Sequence, residues 1–201
     1  MKFQTVRAAE GWETLASETR YEDPHLAVAS VKMRTPSRPA GRSWTVVHRK
    51  AAVVIAPMTR AGHIVLIREE RIPVQAALWA VPAGQIDDVR ELQPGEIEAI
   101  ALRELQEETG YELGPGGELI GLGSYFTSAG MTDERGHLYL ARAVQPGAAG
   151  PAHTESESIL DCRAFSPAEL GAMIARNEIR DSNTLSICAV LAARGLLSLG
   201  Q

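Results

Sequence analysis

Arg103-Glu104-Leu105-Gln106-Glu107-Glu108-Thr109-Gly110-Tyr111 is the stretch whose residue types and spacing could do chemistry. On a helix, positions i, i+3 and i+4 share a face, so Glu104, Glu107 and Glu108 converge. Leu102 and Leu105 are then expected on the other side, where a core can take them. Exposed carboxylates this close repel one another by about 0.2–0.5 kcal/mol per pair. A hard divalent cation removes that penalty, because Mg²⁺ takes carboxylate oxygens and keeps waters and substrate phosphates as its other ligands. Arg103 can hold one of the carboxylates in a two-pronged pair. The plain alternative is a solvated Glu-rich face, and the surroundings count against it. Extended Val81-Pro82-Ala83-Gly84 precedes the helix and Gly110 ends it, so backbone carbonyls and side-chain carboxylates can serve one ion.

The elements that must position this run follow from patterning. Glu96 to Thr109 is rich in Ala, Leu and Glu with no breaker, which predicts a helix capped by Gly110. Upstream, Leu26–Val31 predicts a strand, Pro36, Pro39 and Gly41 punctuate a turn, and Trp44–Val47 starts the return. The apolar runs 51–56 and 64–67 flank Arg60-Ala61-Gly62 and predict a hairpin with a strand buried on both faces. Strands are expected again at Leu119–Phe126, His137–Val144 and Ile159–Phe165, with a long loop at Gln145–Ser158. Two helices, Pro167–Arg176 and Ser182–Leu197, close the chain. Strands, one helix, strands and two helices lack regular βαβ alternation and predict an α+β class.

Composition bounds the reading. The chain has 201 residues, 45% hydrophobic and 22% charged, enough for its own core and unlike a disordered or collagen-like chain. A net charge of −5 and the lack of a basic recognition helix count against nucleic-acid or anionic-membrane partners. Cys162 and Cys188 lie far apart in apolar patterns and make neither a disulfide framework nor a zinc site, which suits a reducing cytoplasm. The start of the chain lacks a signal-peptide pattern and no run has the ~20 apolar residues of a membrane span. His25, His48, His63, His137 and His153 show no ligand spacing, and Met58 and Met131 have no case beyond packing.

Residues 103–111 match every specified position in the second half of the Nudix box, Arg-Glu-aliphatic-any-Glu-Glu-any-Gly followed by an aliphatic or aromatic residue. The first half departs from that pattern. Eleven residues separate Gly84 from Glu96 and six separate Glu96 from Arg103, against the family's five and seven, with the extra length in Asp87–Pro94. Glu96 and Glu98 are the candidates for the first Glu of the box. From about Trp12 to Leu197 the chain resembles the ADP-ribose and nucleoside-diphosphate-sugar pyrophosphatase branch of the Nudix hydrolases. The likeness rests on Ile67-Arg68-Glu69-Glu70-Arg71-Ile72-Pro73-Val74, Leu78–Gly84, Ser128-Ala129-Gly130-Met131-Thr132-Asp133-Glu134, and an ending at Glu178–Thr184 with Asn177 in the place of a Gly. Ala80 stands where the branch usually has Glu, and Ala129 where it often has Pro.

The resemblance implies a Nudix α/β/α sandwich with mixed β-sheets over residues 48–201. Residues 1–47 would be a β-rich extension that helps build a homodimer whose subunits share active-site residues. It implies Mg²⁺, with Mn²⁺ as the other candidate, on Glu104, Glu107, Glu108 and the Ala83 carbonyl. The substrate would be a nucleoside diphosphate linked to another group, ADP-ribose or an NDP-sugar, split into a nucleoside monophosphate and a phosphorylated remainder. A base must take a proton from the attacking water, and the acidic loop before the last strand offers Glu157 first and Glu155 second. A solvated loop is the competing view of both. Arg71 is the candidate phosphate contact, since a guanidinium fork matches phosphate oxygens. Arg68 is either a second contact or an exposed strand residue, and Glu134 either a metal or substrate group or a loop carboxylate. Trp44, in a polar segment, is the stacking candidate, while Trp79 between apolar neighbours suits a core. The competing functions are a non-catalytic nucleotide-sugar sensor and a hydrolase of other dinucleotides or nucleoside triphosphates.

Overall fold

The computed structural model describes residues 8–87, 92–152 and 158–200, in two compact units. The smaller unit comprises the chain up to Ala52 with Gln85–Leu92 and Tyr125–Gly136. Its frame is an antiparallel sheet in the order β1-β2-β3, from Glu13–Glu22, Leu26–Thr35 and Arg38–Arg49. Strand β2 alternates, with Ala27, Ala29 and Val31 buried, as a strand with one covered face should. Asp23 makes the first turn by accepting the His25 and Leu26 amides at 2.7 and 2.9 Å. The second turn is tighter than expected: only Pro36 and Ser37 lie between the strands, and β3 already contains Pro39 and Gly41. An outer strand loses no ladder bond to a proline, and a register shift between Met33 and Thr35 absorbs Gly41 at φ +77°.

Among the described residues, the larger unit holds most of a seven-stranded sheet, three α-helices and a 3-10 turn at Ile72–Val74. The strand order is β10-β5-β4-β9-β8, with β6 on β5 and β7 on β4. The strands are β4 Ala52–Thr59, β5 Ile64–Arg71, β6 Ala76–Ala80, β7 Ala83–Gln85, β8 Tyr111–Phe126, β9 Arg135–Pro146 and β10 Ile159–Phe165. The expected hairpin is β4–β5, and β4 is buried from Val53 to Met58. Strand β8 starts eight residues before the expected Leu119 and runs through Gly114-Pro115-Gly116-Gly117. Two of those glycines serve close approach: a Cβ on Gly114 or Gly117 would meet the Ala143 or Arg142 carbonyl of β9 at 2.9 and 3.0 Å, while Gly116 between them takes the left-handed region at φ +70°. Helix α1 is Pro94–Thr109, α2 is Pro167–Ala175 and α3 is Ser182–Ala193. Helix α3 stops short of the expected Leu197, with Gly195 left-handed at φ +67°.

Candidate active site

Helix α1 carries the acidic run. Its buried stripe is Ala101, Glu104, Leu105, Glu108 and Thr109, the i, i+3, i+4, i+7, i+8 pattern of a core-facing helix. The expectation that the carboxylates face away from the leucines is therefore corrected. Glu104 and Glu108 share the inward stripe with Leu105, Glu107 is half-buried, and Leu102 is only partly covered. What meets them is the backbone of Ala83 and Gly84. The Ala83 amide donates to Glu108 Oε2 at 2.9 Å, and a Cβ on Gly84 would lie 2.0 Å from Glu104 Cδ. Arg103 spans the outer side, donating to Glu104 Oε1 at 2.7 Å and lying 3.5 Å from Glu107 Oε2. Gly110 ends the helix in the left-handed region at φ +71°, as expected.

Among the described residues, no three His, Cys, Asp or Glu side chains already converge as a metal cage. The donor set nonetheless suits a hard cation. Two of its carboxylates are nearly buried, all donors are oxygen, and glycine at 84 leaves just the room that Glu104 fills. The two candidates for the first acidic position of the motif stand elsewhere. Glu96 Oε2 accepts the Gln93 amide at 2.8 Å and caps α1, eight residues or about 12 Å of helix from Glu104. Glu98 is exposed on the same helix.

Arg71 ends β5 and donates to Glu69 Oε1 at 2.9 Å. Arg68, three residues earlier on the strand, projects from the opposite face and is exposed. Glu155 and Glu157 lie outside the described residues. The residues flanking them are anchored within the larger unit. Ala152 donates its amide to the Glu107 carbonyl at 2.9 Å, and the Ser158 carbonyl accepts the Glu70 amide at 3.0 Å. Trp79 packs edge-on to Phe165 at 5.0 Å beneath Arg163 at 4.7 Å; it is half-buried under that guanidinium and not in the core expected for it.

In the smaller unit, Glu134 is buried. It accepts from Thr127 Oγ1 at 2.7 Å and lies 3.4 Å from Arg49 Nη1, while its neighbour Asp133 meets His48 Nδ1 at 2.6 Å. Trp44 lines a cavity of about 610 Å³ with Trp12, Phe126 and Met131. Sequence reasoning missed Trp12 and Phe126 and gave Met131 to packing, yet Met131 is exposed at the cavity wall. The only local signal was a large apolar residue in a polar segment, since the three segments meet only in the fold.

Burial favours the protonated form of both thiols. Burial raises the Cys162 and Cys188 pKa from 9.0 to about 11, and Cys188 is 2% exposed. We expect Cys188 to resist iodoacetamide at pH 8 in the native protein and to react fully in denaturant, read by intact mass. A thiol whose folded pKa is raised adds stability below pH 9 and loses it as pH climbs toward 11, so the melting temperature should fall across that window.

Comparison with known proteins places this arrangement. The model of the NUDIX domain matches residues 47–186. An ADP-ribose pyrophosphatase of Bacillus subtilis (strain 168) is 30% identical over 129 residues, covering 64% of this chain and 65% of that protein. The chain thus spans just under two thirds of that relative's length. A methanol dehydrogenase activator of Bacillus methanolicus is 33% identical over 143 residues, 70% of this chain and 71% of its own. An ADP-ribose pyrophosphatase of Mycobacterium tuberculosis (strain ATCC 25618 / H37Rv) is 29% identical over 94% of this chain and 86% of its own. A solved ADP compounds hydrolase superposes with a TM-score of 0.73 at 18% identity, over 96% of this chain and all of that one, which speaks for the fold. The chain belongs to the Nudix family and has its α+β fold, as the sequence implied. Within that family of hydrolases its likeness runs to the ADP-ribose pyrophosphatase branch. No helix among the described residues is long and apolar enough to cross a membrane.

Proposed function

We propose that this protein hydrolyses the pyrophosphate bond of a nucleoside diphosphate linked to another moiety, ADP-ribose or an NDP-sugar. The products are a nucleoside monophosphate and a phosphorylated remainder. The observation that carries the reading is the pair of buried carboxylates, Glu104 and Glu108, laid against the backbone of Ala83 and Gly84. Glu104, Glu107, Glu108 and the Ala83 carbonyl would hold Mg²⁺, or Mn²⁺ in its place. Such an ion, when bound, neutralises the diphosphate and lowers the pKa of a water. The protein's own groups supply the rest. Arg103 keeps Glu104 and Glu107 aligned, Arg71 steadies the diphosphate, Arg68 on the other face of the strand is left out of that contact, and Glu157 or Glu155 accepts the proton of the attacking water. Glu134 belongs to the substrate set, and Trp44 stacks on the base. Residues 1–47 serve as the dimerisation extension of the hydrolase domain 48–201, in a cytoplasmic homodimer that binds neither nucleic acid nor membrane.

The test is phosphate release, through a coupled phosphatase, from ADP-ribose, NDP-sugars, dinucleotides and nucleoside triphosphates with Mg²⁺ and with Mn²⁺. Turnover confined to the diphosphate-linked compounds is expected. Turnover only of triphosphates or of other dinucleotides would move the substrate class. A second reading, a nucleotide-sugar sensor acting through a partner, is favoured by the irregular first half of the box and by a relative named as an activator. Tight binding of ADP-ribose by the folded protein with no turnover on any compound would install it instead.

A further inference from the structure

We propose that Thr184 and Asp181 are positioning residues for the carboxylates of α1, acting through the backbone of residues 81–84. The inference rests on the reading that Glu104 and Glu108 hold a divalent ion. Asp181 caps α3 by accepting the Thr184 amide at 2.8 Å, which is all that the helix needs from it. The same carboxylate also accepts the Thr184 hydroxyl proton at 2.7 Å. That donation fixes the lone pairs of the hydroxyl, which accepts the Val81 amide at 2.9 Å across 103 residues of sequence. Thr184 is 0% exposed and Val81 is 1% exposed, so water cannot substitute for either group.

Val81 is the first of three consecutive anchored residues. The Pro82 carbonyl accepts the Ile55 amide of β4 at 3.0 Å, and the Ala83 amide donates to Glu108 at 2.9 Å. Gly84 follows, with Glu104 laid against it. Three elements therefore grip successive residues: α3 through Val81, β4 through Pro82 and α1 through Ala83. Proline at 82 fixes its own φ, so a rotation at Val81 is passed to Ala83 with little room for local correction. If the hydroxyl is removed, the buried Val81 amide has no acceptor and the strand must shift to find one. Glu108 then loses the amide that orients it. Helix capping alone would not use the hydroxyl, and a core threonine kept only for packing would not aim it at the strand that carries the site.

The experiment compares wild type with Thr184→Val, Thr184→Ser and Leu170→Ala, the last a buried α2 residue at 0% exposure that serves as a purely destabilising control. Mn²⁺ binding is titrated by the EPR signal of the free ion, and exchange of the Val81 and Ala83 amides is followed by NMR. Thr184→Val should bind Mn²⁺ about tenfold more weakly, as loss of a group that orients a metal ligand does. Its Ala83 amide should exchange faster at a temperature where Leu170→Ala leaves both properties at wild-type values. Thr184→Ser, which keeps the hydroxyl, should restore both. Should Thr184→Val fail to fold, Thr184→Ala is read in the same way. Thr184→Val with unchanged Mn²⁺ affinity and Ala83 exchange, but a lowered melting temperature, would overturn the proposal. If wild type itself binds no Mn²⁺, the metal reading fails. The exchange result then decides separately whether Thr184 governs residues 81–84.

Discussion

Glu108→Gln should lower turnover of the diphosphate substrate by on the order of 10³-fold while leaving the melting temperature near that of wild type. Glutamine matches glutamate in size, and its carbonyl oxygen can still accept the Ala83 amide that Glu108 holds at 2.9 Å. What the substitution removes is the negative charge. An anionic donor at this place would offset several kcal/mol of developing charge through a bound cation, and a neutral amide cannot. The effect should fall on kcat more than on KM, because the group acts on the reacting centre and not on the remote parts of the substrate. Steady-state kinetics with a melting curve decide the matter. A variant that retains turnover within about tenfold of wild type would reduce Glu108 to a buried anchor for the loop.

Gly84→Ala is the second large expectation, and its cause is steric. The new methyl would sit 2.0 Å from Glu104 Cδ and 2.2 Å from its Oε2, well inside contact distance. Glu104 is 7% exposed and held by Arg103, so its carboxylate cannot simply swing aside. Overpacking of this kind costs about 1–3 kcal/mol, and moving a functional group by about 1 Å costs about 10²-fold in rate. Both losses should appear together. The double variant Gly84→Ala/Glu104→Ala separates them, since shortening the clashing side chain should recover the melting temperature and leave activity lost. Full activity in Gly84→Ala would show that Glu104 has no fixed place in the reaction.

Much of this site could be read from residue types alone. Helix α1 was legible because its composition is uniform and Gly110 marks its end. That Glu104 and Glu108 cluster on one face of α1 followed from helical spacing, whereas Glu107 does not join them on the buried stripe. Which way that cluster faces did not, because hydrophobic patterning assigns charges to the solvent side, and here two carboxylates lie on the core stripe with Ala101 and Leu105. The turn after β2 was misplaced for a similar reason. Pro39 and Gly41 carry turn chemistry, but an outer strand tolerates both. Strand β8 was cut short because Gly114 and Gly117 serve close approach to β9, a demand made by a neighbour and invisible in a local window. Asn177 was easier. Its φ of +59° is the left-handed conformation that a glycine in that position would supply, and asparagine tolerates it. The partner of the Thr184 hydroxyl is the extreme case, since nothing near residue 184 points to residue 81.

That separation also sets an order of events during folding. The Gly84 strand and the acidic helix are neighbours in the chain, yet the grip on Val81 comes from the start of α3, 103 residues later. Closing so long a loop is entropically costly and comes late, after local pieces have formed. A ribosome-bound chain that has not yet emitted α3 would thus carry the whole acidic motif without the geometry that aligns it. Competence would arrive at once, when α3 docks, and not by degrees as the chain grows.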